Sequence, residues 1–193
     1  ESAGLRSINA KHIALSSQSL GLVLAVLPHM KAVLSAYLPE GQRRLLKDMD
    51  AVHDDYEGHT AQLFTKLVTI LEDRRKSYMK DIKEALAPAD SRRQPEPSAS
   101  IKTVVKDLAS MHKQLQPLLT RPQLHTVFTQ ILGTFDAGLL ESYRTVDATP
   151  AYSRQCIVQD VHFLRKEVAK LHLSLPQGCC PALVAFAQTL PLA

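Results

Sequence analysis

The stretch that decides the fold lies between Pro39 and Pro88 and reads PEGQRRLLKDMDAVHDDYEGHTAQLFTKLVTILEDRRKSYMKDIKEALAP. Its apolar residues recur at steps of three, four or seven, at Leu45, Met49, Val52, Tyr56, Leu63, Leu67, Ile70 or Leu71, Tyr78, Ile82 and Leu86. That spacing fits the period of an α-helix and not the alternation of a strand. We predict one unbroken amphipathic helix of roughly 65–75 Å. Such a length is typical of a scaffold rather than of an enzyme core.

A first helix is predicted over residues 9–38. Pro28 lies inside it and is expected to kink or break it, because proline has no N–H and its ring clashes with the preceding turn. The pattern predicts a buried side that carries Leu15, Leu20, Leu22, Val23, Val26, Leu27, Met30 and Leu34.

Three more long helices are expected after residue 100. A Pro- and Ser-rich linker at residues 87–100 precedes them and is predicted to be mobile and open to cleavage. Thr120 and Gln123 form a predicted capping box, and Thr149 is a predicted N-cap before Pro150. The uncharged tail at residues 176–193 is expected to dock, with a short helix at 181–190.

These elements predict an all-α fold, an elongated antiparallel helical bundle of about five long helices. We expect residues 1–193 to form a single domain, and we expect the chain, which begins at Glu1, to be a fragment of a larger subunit. The longest unbroken apolar run, residues 22–27, is far shorter than the roughly 18 residues that a membrane span requires. The sequence therefore predicts no membrane span.

The net charge of +4 does not indicate nucleic-acid binding. Within residues 72–84, basic side chains are interleaved with acidic ones, which is typical of a solvated helix face. The odd number of cysteines favours a reducing compartment. The adjacent Cys179 and Cys180 leave palmitoylation open as an alternative to plain thiols.

No nucleotide-binding, hydrolase or zinc-protease motif occurs in the sequence. His53 and His59 are six residues apart and fall on different helix faces, so they make a poor metal pair. Asp54 and Asp55 are adjacent and diverge for the same reason. We therefore predict no enzyme activity, no catalytic residue, no metal site and no cofactor.

Three strings stand above this background in the sequence. They are GLRSINAKHIALSS at residues 4–17, DYxxH at 55–59 with KLV at 66–68, and MH at 111–112, preceded by Lys106. In this order and spacing they resemble the C-terminal domain of the vacuolar protein sorting-associated protein 54 family. The resemblance covers about residues 4–112, and the next two helices follow it by pattern only.

That resemblance implies the Golgi-associated retrograde protein complex, a tether at the trans-Golgi network whose subunits belong to the helical-rod tethering family. It implies a non-enzymatic interaction domain that acts in retrograde endosome to trans-Golgi network transport and is cytoplasmic, peripheral to those membranes. The implied partners are other tethering-complex subunits, through the rest of the protein, and endosome-derived vesicles or SNARE proteins. The long linker and the Cys-Cys tail depart from the family pattern.

Two groups of residues are candidates for this function. Physically, the motif residues Tyr56, His59, Leu63, Lys66 and Leu67 fall along one helix side and are interpreted as structural, with Tyr56 and His59 between helices. Direct partner contact stays open as the alternative.

The second group is Arg43, Arg44 and Lys47, read either as an exposed helix start or as a membrane or partner contact. The alternative function is accordingly a peripheral membrane binder that contacts anionic lipid through a basic helix surface.

Overall fold

The computed structural model describes residues 9–87, 94–173, 175 and 178–190. Within these residues every regular element is helical, which confirms the all-α prediction. The elements are α1 (Ala10–Tyr37), a 3₁₀ helix (Glu40–Leu45), α2 (Leu46–Tyr78), α3 (Ile82–Ala85), α4 (Ala99–Leu115), α5 (Arg121–Arg144), α6 (Ala151–Ala169) and α7 (Pro181–Thr189). Five of them have 17 residues or more, as predicted.

The chain divides into two compact units. Unit 1 comprises residues 1–67 and 114–119, and unit 2 comprises residues 68–113 and 120–193. The single-domain organisation stays a prediction, and each unit is described by itself.

Helix α1 begins where the sequence predicts. The side chain of Asn9 accepts a hydrogen bond from the His12 backbone N–H at 3.1 Å and so caps the helix. The predicted break at Pro28 is wrong, since the helix runs through this residue to Tyr37. Proline removes a single backbone hydrogen bond, and the helix-forming Leu, Ala and Val residues around it keep the adjoining turns helical.

The predicted buried side of α1 is also wrong. Its buried residues are the four at its start, Ala10, Ile13, Ala14 and Ser17. Most of the large apolar residues expected in the core are exposed instead, namely Leu15, Leu22, Val23, Val26, Met30 and Leu34. The reason is the pattern itself: apolar residues occur on all sides of α1, and one neighbouring helix covers one side.

That neighbouring helix is α2. Lys31 of α1 forms an ion pair with Asp50 near the start of α2. Residues late in α1 therefore meet residues early in α2, and the two helices form an antiparallel hairpin whose turn is the 3₁₀ helix.

Helix α2 is shorter than predicted at both ends. Its 33 residues span about 50 Å. Gly41 lies in the 3₁₀ turn before it, and beyond Tyr78 the chain turns before it enters α3. This turn leaves Met79, Ile82 and Leu86 buried in unit 2. Burial of these side chains outweighs the local preference for a continuous helix.

Unit 2 contains most of the buried side chains. The helical spacing of its apolar residues predicts one buried stripe on α4. Of the residues that the pattern assigns to this stripe, Leu118 just beyond the helix is half-buried and six are buried: Ile101, Val104, Val105, Leu108, Met111 and Leu115. The capping box at Thr120 and Gln123 is confirmed in both directions. The Thr149 cap is wrong by one residue, because Pro150 occupies the N-cap position and the Thr149 N–H donates to Asp147.

The ends of unit 2 partly match prediction. Helix α7 packs against α5 and α6, and its Leu183 and Ala187 are buried, which confirms the docked tail. Residues 88–93 of the predicted linker lie outside the described part of the chain. They include Arg92 and Arg93, the two residues near which we expect proteolytic cleavage. Ser98 is buried and α4 begins at Ala99, so the linker ends earlier than predicted.

Candidate interaction surface

The buried acid of unit 2 is part of a hydrogen-bonded anchor. The Asp160 carboxylate accepts bonds from the Ser98 backbone N–H at 2.5 Å, the Ser98 hydroxyl at 2.7 Å and the Tyr143 hydroxyl at 2.7 Å. Burial raises the pKa of Asp160, and the bonds from Ser98 and Tyr143 oppose that rise. Burial and the nearby carboxylate raise the pKa of Tyr143 well above its usual value. These three hydrogen bonds attach Ser98, the residue before α4, to α5 and α6. The role of Asp160 is therefore structural.

The buried cation of unit 2 is likewise fully engaged. Arg75 makes a bidentate pair with Glu72, with both N–O distances at 2.9 Å, and donates to Ser142 at 3.3 Å. Its guanidinium lies directly over Gly138, where an added Cβ would come within 2.3 Å of Nη2. Among the described residues, every buried side-chain nitrogen or oxygen has a partner.

The sequence motif on α2 divides between core and surface. Leu67 is fully buried and Leu63 is half-buried, as expected for structural residues. Tyr56, His59 and Lys66 are exposed, and the interpretation of Tyr56 and His59 as side chains between helices stays a prediction. The side of α2 that carries these three residues is thus exposed to solvent between residues 56 and 66.

The turn of the hairpin carries the three predicted basic contacts. Arg43 and Arg44 lie in the 3₁₀ helix and Lys47 in the first turn of α2, and all three are exposed. Two large apolar side chains near them in the sequence are also exposed, Tyr37 at 84% and Leu45 at 56%. This hairpin tip thus combines cationic and apolar groups, although Glu40 and Asp48 lie in the same stretch.

The largest exposed apolar feature is on α1. We define the α1 apolar surface as Leu22, Val23, Val26, Met30, Val33, Leu34 and Tyr37, all exposed. The α1 apolar surface was not predicted, because the apolar pattern of the sequence places these residues on the buried side of the helix. The available signal was the absence of any polar stripe on the helix, which is typical of a helix covered on all sides.

The composition of α1 also meets the requirement for crossing a bilayer. By length and composition it is the one helix among the described residues that could cross a membrane, although its longest unbroken apolar run is only residues 22–27. Length and composition alone do not distinguish a span from a helix covered by protein. Because Lys31 is paired with Asp50 on the charged helix α2, we interpret α1 as a surface to be covered rather than as a span.

One group of potential metal ligands lies on α2. The donor atoms of His53, Asp54 and Glu57 lie within 4.8 Å of one another. Glu57 was not predicted as a member of this group, although its four-residue spacing from His53 places both residues on one helix face. The two carboxylates are exposed, and such groups are common on helices without an ion, so we assign no metal here.

The thiols of the tail are partly enclosed. Cys180 is buried and its Sγ lies 3.8 Å from the Leu132 carbonyl oxygen. Cys179 is half-buried beside it. Palmitoylation of the two cysteines stays open as the alternative to plain thiols.

Comparison with known proteins gives consistent similarities. A family model described as Vps54-like protein matches residues 1–74. Vacuolar protein sorting-associated protein 54 of Homo sapiens is 30% identical over 136 residues, which are 70% of this chain and 13% of that protein. Its counterpart in Arabidopsis thaliana, named as chloroplastic, is 23% identical over 174 residues, 88% of this chain and 17% of that protein. The protein of the same name in Caenorhabditis elegans is 25% identical over 149 residues, which are 76% of this chain and 13% of that protein.

The chain thus spans only 13–17% of the length of these relatives. No solved structure matches it significantly.

Proposed function

The chain belongs to the Vps54-like family, and from this membership we propose that it is a non-enzymatic interaction domain of a vesicle-tethering complex subunit. The proposed process is retrograde transport from endosomes to the trans-Golgi network, with the domain cytoplasmic and peripheral to those membranes. The names of the relatives, which refer to vacuolar protein sorting, support the general process.

The observation that carries this proposal is the contrast between a satisfied interior and an open apolar helix. Among the described residues of unit 2, the buried side-chain polar atoms all have hydrogen-bond partners, as in the anchor that Asp160 forms with Ser98 and Tyr143. The α1 apolar surface, by contrast, exposes 68% of Leu22 and 58% of Val33. Exposed apolar surface on a folded domain is typical of a binding site for another protein or a membrane.

The proposed partners follow from the family resemblance and from the fact that this chain matches only a small part of each relative's length. Other tethering-complex subunits would be bound through the rest of the protein, and this domain would engage an endosome-derived vesicle or its SNARE proteins. A SNARE is an apolar helix-forming partner, and the α1 apolar surface provides the matching helix face.

The test uses a full-length subunit that carries this chain. In the surface variant Leu22, Val26 and Val33 are replaced by Gln, and in the matched control Ser16, Ala25 and Ala36, which are exposed on the same helix, are replaced by Gln. The proposal expects both variants to melt like the parent and only the surface variant to lose SNARE co-isolation and to slow cargo return to the trans-Golgi network. Parent-like transport by the surface variant would contradict it.

A second candidate, peripheral membrane binding, is favoured by the exposed hairpin tip. Arg43, Arg44 and Lys47 would contact anionic headgroups while Leu45 and Tyr37 enter the interfacial region. Co-sedimentation with phosphatidylserine vesicles should then decrease with added salt and in a variant with all three basic residues changed to Gln. If the parent does not sediment at low salt, this candidate is wrong.

A further inference from the structure

The two neighbouring thiols of unit 2 are held in a fixed geometry. The Sγ atoms of Cys179 and Cys180 lie 3.6 Å apart. Cys180 adopts a left-handed backbone with φ of 52°, which costs a non-glycine residue about 1 kcal/mol or more. A surrounding structure must hold such a residue in place, so this pair is not a random meeting of side chains.

Hydrogen bonds from α7 to a side chain of α5 fix the backbone next to this pair. Asp136 accepts hydrogen bonds from the Ala182 N–H at 3.0 Å and the Leu183 N–H at 2.7 Å, so a carboxylate of α5 caps the first turn of α7. Pro181 fixes the first helical residue, directly after Cys180. The backbone on the C-terminal side of the two cysteines is therefore anchored before any ligand binds.

The distance between the sulfurs suits a shared ligand. Two sulfurs that each lie about 2.3 Å from one tetrahedral ion are about 3.7–3.8 Å apart. The observed 3.6 Å is close to this value and far from the roughly 2.05 Å of a disulfide. Soft, thiophilic ions are the class that thiolate pairs select.

Access fits the same role. Cys180 lines a cavity of about 390 Å³ together with Leu132, Gly133 and Pro181, and Cys179 beside it is half-buried. Neither sulfur has to be uncovered by unfolding before a small ligand reaches it.

We propose that Cys179 and Cys180 form a two-sulfur binding site for a thiophilic metal or metalloid centre, approached from the cavity beside α5. The site goes beyond the proposed interaction function and does not depend on it.

The test uses the trivalent arsenical phenylarsine oxide as probe. Two As–S bonds form, the As=O bond breaks, and its oxygen leaves as water with the two thiol protons, so no oxidant is required. Intact mass spectrometry of the folded chain should show one arsenical per chain. Cys179→Ser and Cys180→Ser should each weaken binding at least tenfold, because one sulfur cannot chelate, and Cys156→Ser should bind like the parent.

Melting curves show whether each variant is folded. Cys179→Ser is the decisive variant because this side chain is only half-buried, so its replacement is expected to leave α7 docked. Parent-strength binding by folded Cys179→Ser, or a folded parent that does not bind the probe at excess, would overturn the proposal. Loss of probe binding with intact SNARE co-isolation would separate this site from the proposed function.

Discussion

Helices α1 and α5 are both rich in apolar residues, yet they end in opposite environments. In α5 the large apolar residues fall on one stripe and are buried, from Leu124 through Phe128 and Phe135 to Tyr143. In α1 they occur all round the helix, and most of them are exposed. The difference teaches that a high apolar content does not by itself predict whether a helix is buried by neighbouring helices. A stripe can be buried by one or two neighbours, whereas an apolar helix needs partners on several sides.

The largest expected effect removes the polar anchor beneath the buried region. Asp160→Ala leaves the Ser98 N–H, the Ser98 hydroxyl and the Tyr143 hydroxyl buried without an acceptor. At about 1–3 kcal/mol for each of the three donors, we expect the free energy of unfolding to fall by about 3–9 kcal/mol. Urea denaturation measures it.

Asp160→Asn is the matched control for that prediction. It keeps the shape and one acceptor oxygen, and the two hydroxyls can rotate to accept from the amide, so its effect should be clearly smaller. Equal midpoints for parent and Asp160→Ala would show that this network does not stabilise unit 2.

The next effect compares the two helices directly. Leu139 of α5 is fully buried and Leu22 of α1 is 68% exposed. Leu139→Ala should lower the free energy of unfolding by about 2–5 kcal/mol, because it removes packed methyl groups and leaves a cavity. Leu22→Ala should change it by less than about 0.5 kcal/mol. Thermal melting of both variants checks the pair, and a large loss in Leu22→Ala would mean that α1 is covered in solution.

A smaller effect concerns close packing within α5. Gly138→Ala would place a methyl group against the buried Arg75 guanidinium and should destabilise by about 1–3 kcal/mol. Gly133, in the same helix, has open space around it, so Gly133→Ala should stabilise by up to about 1 kcal/mol. Opposite signs in chemical denaturation are the expected result. In an Arg75→Ala background the penalty at Gly138 should shrink, because the two sites interact.

The smallest effect depends on pH. His112 is buried edge-on to Phe128, with ring centroids 5.1 Å apart, and burial lowers its pKa. As pH falls below about 6.5, the unfolded chain takes up this proton before the folded chain does, so stability is lost. The parent should lose stability between pH 7 and pH 5, with a slope from this group of at most about 1.4 kcal/mol per pH unit. His112→Phe should flatten that part of the curve, and an identical slope would contradict the assignment.

Local features could be predicted from the sequence, whereas features set by distant residues could not. The box at Thr120 and Gln123 rests on residues three apart and is confirmed, and the start of α1 lies where the pattern predicts. The stripe of α4 was also readable, because it follows one helical period. The turn after Tyr78 was not readable, since it depends on a site for Ile82 that other helices build.

The candidate surfaces show the same limit. The burial of Leu67 followed from its position in the stripe, but the exposure of Tyr56 and His59 did not, because it depends on where helix contacts end along α2. The anchor of Asp160 was missed because its partner Ser98 lies 62 residues away and seemed to belong to a linker. Adjacent cysteines were visible in the sequence, but not the left-handed backbone that holds their sulfurs side by side.

Two hydrogen bonds of unit 2 join residues that are far apart in the sequence. Ser142 accepts from Arg75, and the Ser153 hydroxyl donates to the Leu86 carbonyl at 2.8 Å, each across 67 residues. These bonds connect the sequence before residue 88 to the sequence after residue 93 without using the peptide links between them. Two polypeptides divided there would carry the donor and the acceptor of both bonds between them. We therefore expect the two fragments to associate, and their reassembly would report on an intact unit 2.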